Sequence, residues 1–305
     1  MSGRSAAARL DEVTPETGAP QVPAPAPITD MSAQRIRARR RYQFNVYALR
    51  ILTAVIVLAA WELSTRYAPT VIDPFFWGQP SGIWHQLVVW FTDETALGPL
   101  WKQVLVTMEE TVGGFIVGTI AGVVFGVLMG RNRLLSDVFS IYIKAANAIP
   151  RVVLGALFAI SLGLDIRSKI ATAAVLVFFV VFFNAFQGVR EVERNLIANA
   201  RILGADDRRL TTEVIIPSAL SWIIASLHIS FGLALVGAVV GELFGATEGV
   251  GQLIYSAEHN FNANGVFAGM LLLATMALIA EAIITALEDR LIKWRPPQVG
   301  SEVQI

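Results

Sequence analysis

Arg151, His228 and Glu242 each stand inside a long apolar run. A charge inserted at the centre of a bilayer costs about 2.5–3.5 kcal/mol, so ionisable groups at such depth face protein or water, pair with one another, or mark a route for ions and polar solutes. Arg151 follows Pro150 directly. It suits either the attraction of an anion or a structural pairing with an acid. His228 reads as a packed, hydrogen-bonded group more readily than as a proton relay. Glu242 suits a gate near the end of its run or, equally, a buried, hydrogen-bonded acid. Lys144 lies near the inner boundary and, seven residues before Arg151, is expected on the same helix face; Glu109 and Glu110 precede another run, and Glu281 lies in the last one.

Hydrolytic and phosphate-binding chemistry has no support. The chain contains no G-x-x-x-x-G-K-[ST], no G-x-S-x-G and no H-E-x-x-H, the patterns that cradle phosphates, present a nucleophile or bind catalytic zinc. Its three histidines, His85, His228 and His259, fall in unrelated segments, and cysteine is absent. No catalytic residue, metal site or bound cofactor is expected.

The elements that must position these groups are membrane spans. The chain has 305 residues, 54% of them hydrophobic, and a mean hydropathy of +0.58. That composition belongs to a multi-span membrane protein. Six apolar runs stand out: Val46–Leu63, Thr111–Met129, Val138–Leu164, Ile170–Phe186, Ser218–Phe244 and Val266–Leu287. Each approaches or exceeds the roughly 20 residues that cross a bilayer. Arg131 and Arg133, the arginines of segment 190–217, and Arg290, Lys293 and Arg295 fall on one side; segment 245–265 has no basic residue and segment 67–103 only Lys102. By the positive-inside rule, six spans with both termini in the cytoplasm of a plasma membrane result, the turn with Arg167 and Lys169 being the exception. Residues 1–44 read as a disordered cytoplasmic tail ending in a basic juxtamembrane cluster that can also touch anionic lipid, 45–295 as the transmembrane domain, and 296–305 as a short cytoplasmic tail. Lysine plus arginine equals aspartate plus glutamate, so charge does not point to nucleic acid.

Two further patterns concern positioning. Gly114, Gly118, Gly122 and Gly126, with Gly130, recur every four residues and form one small-residue stripe. Such a stripe lets two helix backbones approach closely, in the same chain or in another subunit. Pro80–Phe91 predicts a helix lying on the outer membrane boundary or packed on the span ends; Trp77, Trp84, Trp90 and Phe91 suit that boundary.

The polar segment Arg190–Pro217 between two spans contains Ala198-Asn199-Ala200, then Gly204-Ala205-Asp206, then Val214-Ile215-Ile216-Pro217. Gly204 permits a left-handed turn after a helix, Asp206 and Asp207 cap the next one, and Pro217 suits the first turn of the following span. The segment resembles the EAA loop of ABC-importer permeases. Ala198 stands for the Glu of that motif and Asn199 for its first Ala, while Ala200, Gly204 and Pro217 match. The order of Trp61-Glu62, Pro80-Ser81, Leu128-Met129-Gly130, Ile149-Pro150, Gly249-Val250-Gly251 and Val266-Phe267-Ala268-Gly269 is similar to the nitrate/sulfonate/taurine branch. The resemblance implies an all-α membrane protein of about six transmembrane helices with a cytoplasmic coupling-helix loop. It implies a homodimeric pore, two ATPase subunits that bind ATP and Mg, an extracytoplasmic solute-binding protein, and inward transport of a small polar nutrient such as nitrate, a sulfonate, taurine or a vitamin precursor. The loop motif, with Ala198, Asn199, Ala200, Gly204, Ala205, Asp206 and Pro217, would couple to the ATPase; Arg151, His228 and Glu242 are candidates for the translocation path. An ion-coupled secondary transporter, with Glu242 and Glu281 as relays, is the alternative.

Overall fold

The computed structural model describes residues 28–70, 72–92 and 95–291. Its elements, in chain order, are α1 (Ile28–Tyr67), α2 (Pro74–Trp77), α3 (Pro80–Thr92), α4 (Leu100–Arg131), α5 (Arg133–Ala148), α6 (Arg151–Leu162), α7 (Ile166–Arg190), α8 (Arg194–Ile202), α9 (Asp207–Arg209), a π turn (Leu210–Ile215), α10 (Ile216–Leu243), α11 (Val250–His259) and α12 (Ala263–Leu291). The chain divides into two compact units after Leu58, and the packing and the sites described below belong to the second.

Five helices are long and apolar enough to cross a membrane, at Arg40–Tyr67, Leu100–Arg131, Ile166–Arg190, Asp207–Leu243 and Ala263–Ala286. The sixth expected span is not one straight helix. It breaks into α5 and α6, bent by 89° at Ile149-Pro150. Proline removes a backbone donor and clashes with the preceding turn. Its predecessor is pushed to extended geometry, and Ile149 has φ −67° and ψ 132°. Lys144 and Arg151 therefore sit on different helices and share no face. The tail expected over residues 1–44 is helical from Ile28 onward, while residues 1–27 and the 296–305 tail lie outside the described residues.

α4, α7 and α10 form the packed centre. In α4 the glycine stripe meets α7: a methyl group on Gly118 would stand 2.5 Å from the Ala174 carbonyl oxygen, one on Gly122 2.8 Å from Val181 Cβ, and one on Gly126 2.8 Å from Ala185 Cβ. Gly114 approaches Ala173 in the same way. Backbones this close gain dispersion contacts that lipid chains cannot supply. α7 returns the favour on its other side, where Gly237 and Gly241 of α10 lie against Ala173 and Lys169. Val177, Val181 and Ala234 are fully buried between the three helices.

At the α11 end of the bundle the termini of α1, α3 and α12 are fastened together. Glu62 of α1 accepts hydrogen bonds from the Ser81 amide (3.1 Å) and hydroxyl (2.8 Å), capping the start of α3. Asn264 of α12 accepts from the Gln79 amide (2.8 Å). Trp61 packs edge-on against Phe267 with ring centroids 5.3 Å apart. α3 buries Ile83, Leu87 and Trp90 and exposes Trp84 and Phe91, so it combines a packed face with a free aromatic one.

Candidate functional site

Two sites emerge at opposite ends of α4, α7 and α10. The first is the elbow between α7 and α10. α8 ends in a left-handed turn: Gly204 has φ +84°, its amide donates to Arg201 O (3.0 Å), and the Ala205 amide donates to Ala200 O (3.0 Å). These two bonds satisfy carbonyls that a helix end otherwise leaves open. Asp206 then caps α9, accepting from the Arg209 amide at 2.7 Å. Asp207 ties the elbow to neighbouring helices, with its carboxylate 3.9 Å from Arg131 Nη2 and 3.8 Å from Arg201 Nη2. Such exposed pairs contribute little each, about 0–1 kcal/mol.

The elbow presents apolar tips to solvent. Ile202 is 83% and Leu203 86% exposed, beside the exposed Ala198 and Asn199. The turn thus carries two exposed apolar side chains among charged ones. Ala200, a matching residue of the loop motif, is half-buried and packs inward on the cluster of Val192, Leu210, Ile215 and Ala219. One face of α8 thus anchors the elbow while the other is free. Pro217 sits at the start of α10, as its type suggests, but the helical path does not begin there. The preceding turn, Leu210–Ile215, is a π turn that runs on from α9. Widening the turn moves the carbonyls that a proline ring would strike.

The second site is at the other end, where the Gly249-Val250-Gly251 segment clasps Glu242. Glu242 is fully buried. Its Oε1 accepts from Thr107 Oγ1 (2.6 Å), and its Oε2 accepts from the Gly251 amide. The Val250 amide donates to Thr107 Oγ1 (2.8 Å) and the Gly249 amide to Gln103 Oε1 (2.7 Å). The carboxylate therefore lies at the N-terminus of α11, where free amides and the helix dipole favour an anion. A methyl on Gly251 would stand 2.5 Å from Glu242 Oε2, and Gly249 has φ +113°, so both glycines are required by geometry. Glu242 is thus the buried, hydrogen-bonded acid of its two readings and does not face an open path in this conformation.

Glu110 and Lys169 join this cluster. Glu110, expected ahead of the second span, lies inside α4 and is 2% exposed, with Oε2 lacking a hydrogen-bond partner among the described residues. Lys169, expected in a short turn, is buried within α7 and donates to the Leu164 carbonyl. Lys169 interacts electrostatically with both carboxyl groups. A cavity of about 280 Å³ opens beside them, lined by Glu109, Glu110, Asp165, Lys169 and Thr247 among others. Lys102 pairs with Glu248 at its rim. Gln103 and Thr107 were hidden from an apolar-run search because they are polar, yet with Glu110 and Thr111 they extend the glycine stripe backward at helical spacing.

The remaining candidates stand apart from both sites. His228 bridges α10 and α12, with Nδ1 2.7 Å from Glu281 Oε1 and Nε2 2.6 Å from Glu288 Oε2. It is the hydrogen-bonded strut of its two readings. Arg151, half-exposed, donates to Asn147 Oδ1 (2.7 Å) across the α5–α6 break and lies 5.5 Å over the Phe179 ring. Among the described residues no group of three or more potential ligands could hold a metal ion.

Comparison with known proteins adds to this geometry. Residues 118–293 match the family model described as binding-protein-dependent transport system inner membrane component. A permease protein of Bacillus subtilis named for aliphatic sulfonates transport is 28% identical over 282 residues, covering 90% of this chain and 96% of the relative. The formylaminopyrimidine transport permease protein of Halalkalibacterium halodurans is 27% identical, covering 85% of this chain and all (100%) of the relative. The taurine transport system permease protein of Escherichia coli is 27% identical, covering 79% of this chain and 87% of the relative. Among solved structures, the MetNI methionine ABC transporter in inward facing conformations superposes with a TM-score of 0.50 at 21% identity, covering 70% of this chain and 97% of that one. That likeness concerns the fold.

Proposed function

The chain belongs to the binding-protein-dependent transport system inner membrane components, the permease subunits of ABC importers, and on that premise we propose that two copies pair around a central path and are driven through the α8–Gly204–α9 elbow by two cytoplasmic ATPase subunits. The observation that carries this reading is the elbow itself. It has exposed apolar tips at Ile202 and Leu203, an anchored inner face at Ala200, and a direct helical continuation into α10. A force applied at the tips passes into α10 rather than dissipating in a loose loop. ATP and Mg bind in the ATPase subunits, and both termini of this chain lie in the cytoplasm on the same side as the elbow. An extracytoplasmic solute-binding protein delivers the cargo at the α11 end.

The cargo is a small polar nutrient. Relatives named for sulfonates, taurine and a formylaminopyrimidine support that class. Arg151, half-exposed at the break between α5 and α6, favours an anionic member of it. Glu242 acts as the fastener of the α11 end and His228 as a strut between spans, so neither is assigned to cargo binding.

Because the chain has no cysteine, single-cysteine variants are clean probes. A Leu203→Cys variant treated with a short bifunctional crosslinker is expected to capture the ATPase in membranes that contain it. Proteoliposomes holding permease, ATPase and binding protein are expected to accumulate solute only with ATP inside. Uptake by the permease alone, driven by a proton or sodium gradient, would establish an ion-coupled secondary transporter instead.

A further inference from the structure

α8 and α11 end in the same way, and the difference between them is informative. In both, the two residues beyond the helix cap donate back to carbonyls of the last turn. In α11 the Phe261 amide donates to Glu258 O (2.9 Å) and the Asn262 amide to Ala257 O (2.8 Å). This motif places the first of those residues in the left-handed region, where glycine is favoured because a side chain there clashes with the backbone. α8 uses Gly204 at φ +84°. α11 uses Phe261 at φ +52°, the one non-glycine residue with positive φ among the described residues. A bulky aromatic in that conformation is strained, and strain of this kind persists where the side chain has a use.

Burial is not that use, because Phe261 is 73% exposed. Its ring stacks on Phe75 at 6.1 Å, and Phe75 meets Phe76 edge-on at 4.9 Å. Phe76 is 70% and Trp77 57% exposed. The patch is rigidly mounted: Asp73 caps α2, and Asn264 of α12 holds the Gln79 amide just beyond it. It also continues a row of exposed aromatic side chains at the same end of the bundle, Tyr67, Trp84 and Trp101. No lysine or arginine occurs in residues 68–101 or 244–289. The basic residues flanking this row, Arg66 and Lys102, are paired with Glu62 and Glu248, and tryptophan and tyrosine, which the row contains, are enriched at the membrane–water boundary.

We propose that Phe75, Phe76, Trp77 and Phe261 form an aromatic anchor seated in the lipid boundary at the α11 end, which sets the depth of the α2–α3 and α11–α12 connections in the membrane. Lipid, rather than the extracytoplasmic partner, is the occupant because Phe261 stands just before the membrane-crossing stretch Ala263–Ala286, at the depth where such a span leaves the hydrocarbon. The proposal needs the chain to span a bilayer and is independent of what it transports.

The test uses spin labels on single cysteines at positions 77 and 258 of the full chain in phosphatidylcholine nanodiscs. Accessibility to oxygen, which concentrates in lipid, is compared with accessibility to a water-soluble nickel chelate. The position-77 label is expected to favour oxygen several-fold over the Glu258→Cys control, and Phe261→Ser is expected to shift it toward the chelate. A water-like reading at position 77 overturns the proposal. So does a reading there unmoved by Phe261→Ser, because the Phe261 ring would then have no part in the anchor. Protection of position 77 only upon addition of a binding protein would assign the patch to protein docking and also overturn it.

Discussion

At the scale of single residues, the glycines divide into three kinds by what a methyl group would meet. Gly251→Ala must displace the Glu242 carboxylate, so we expect a loss of about 1–3 kcal/mol, the usual range for overpacking a tight site. This would read as a lowered Tm of the purified protein in detergent. Gly232, with nothing within 4 Å, is the matched control on the same helical system; Gly232→Ala should leave Tm unchanged or raise it, since alanine favours helix by about 0.8–1 kcal/mol. Gly204 has equal free space but a left-handed φ. Gly204→Val should insert normally and lose co-purification with the ATPase through strain of about 1–2 kcal/mol confined to the elbow. Undiminished co-purification would count against the coupling role. The sequence singled out Gly204 as a turn position and Asp206 as a cap, because φ preference and capping are local properties. It missed that Gly249 and Gly251 enclose Glu242, a contact between α10 and α11 that no local pattern encodes.

At the scale of elements, the regular spacing of glycines in α4 identified a packing face, and the structure supplies its partner, α7. Substituting leucine at Gly118 or Gly122 is expected to separate the helices and to lower folded yield in membranes; leucine at Val124, which is exposed, serves as the control. Helix ends were less legible than helix centres. α4 starts at Leu100, well before its apolar run, because Gln103, Thr107 and Glu110 are polar residues facing the bundle rather than water. An apolar-window reading treats such residues as loop. The strut from His228 to Glu281 and Glu288 was equally invisible, since it joins α10 to α12 across a long sequence separation. A double-mutant cycle of His228→Ala and Glu281→Ala, read by thermal unfolding, should return a coupling of about 0.5–3 kcal/mol, the range for residues in direct contact. Additivity would show the pair to be inconsequential.

At the scale of the whole molecule, the two sites are connected end to end by the same helices. α10 begins beyond the elbow and carries Glu242 in its last turn, where the carboxylate holds the first turn of α11. A continuous α10 therefore links the elbow to the clasp at the far end. Coupling of that kind requires two arrangements favoured by different ligand states. We expect Glu242→Gln, which puts an amide donor opposite the Thr107 hydroxyl or the Gly251 amide, to raise ATP hydrolysis in the absence of binding protein while lowering solute uptake per ATP. Both rates are measurable in the same proteoliposomes. Unchanged coupling would confine Glu242 to a structural role.

The 89° bend between α5 and α6 has one more consequence. Hydrocarbon supplies no hydrogen-bond donors, so a helix interrupted at membrane depth strands its last carbonyls unless protein or water reaches them. Ala148, Ile149 and Pro150 are exposed in a single copy of the chain. That corner therefore cannot look out onto acyl chains: it must turn toward a hydrated channel or a neighbouring polypeptide, and it tells, from backbone valence alone, which flank of the molecule is turned away from the fat.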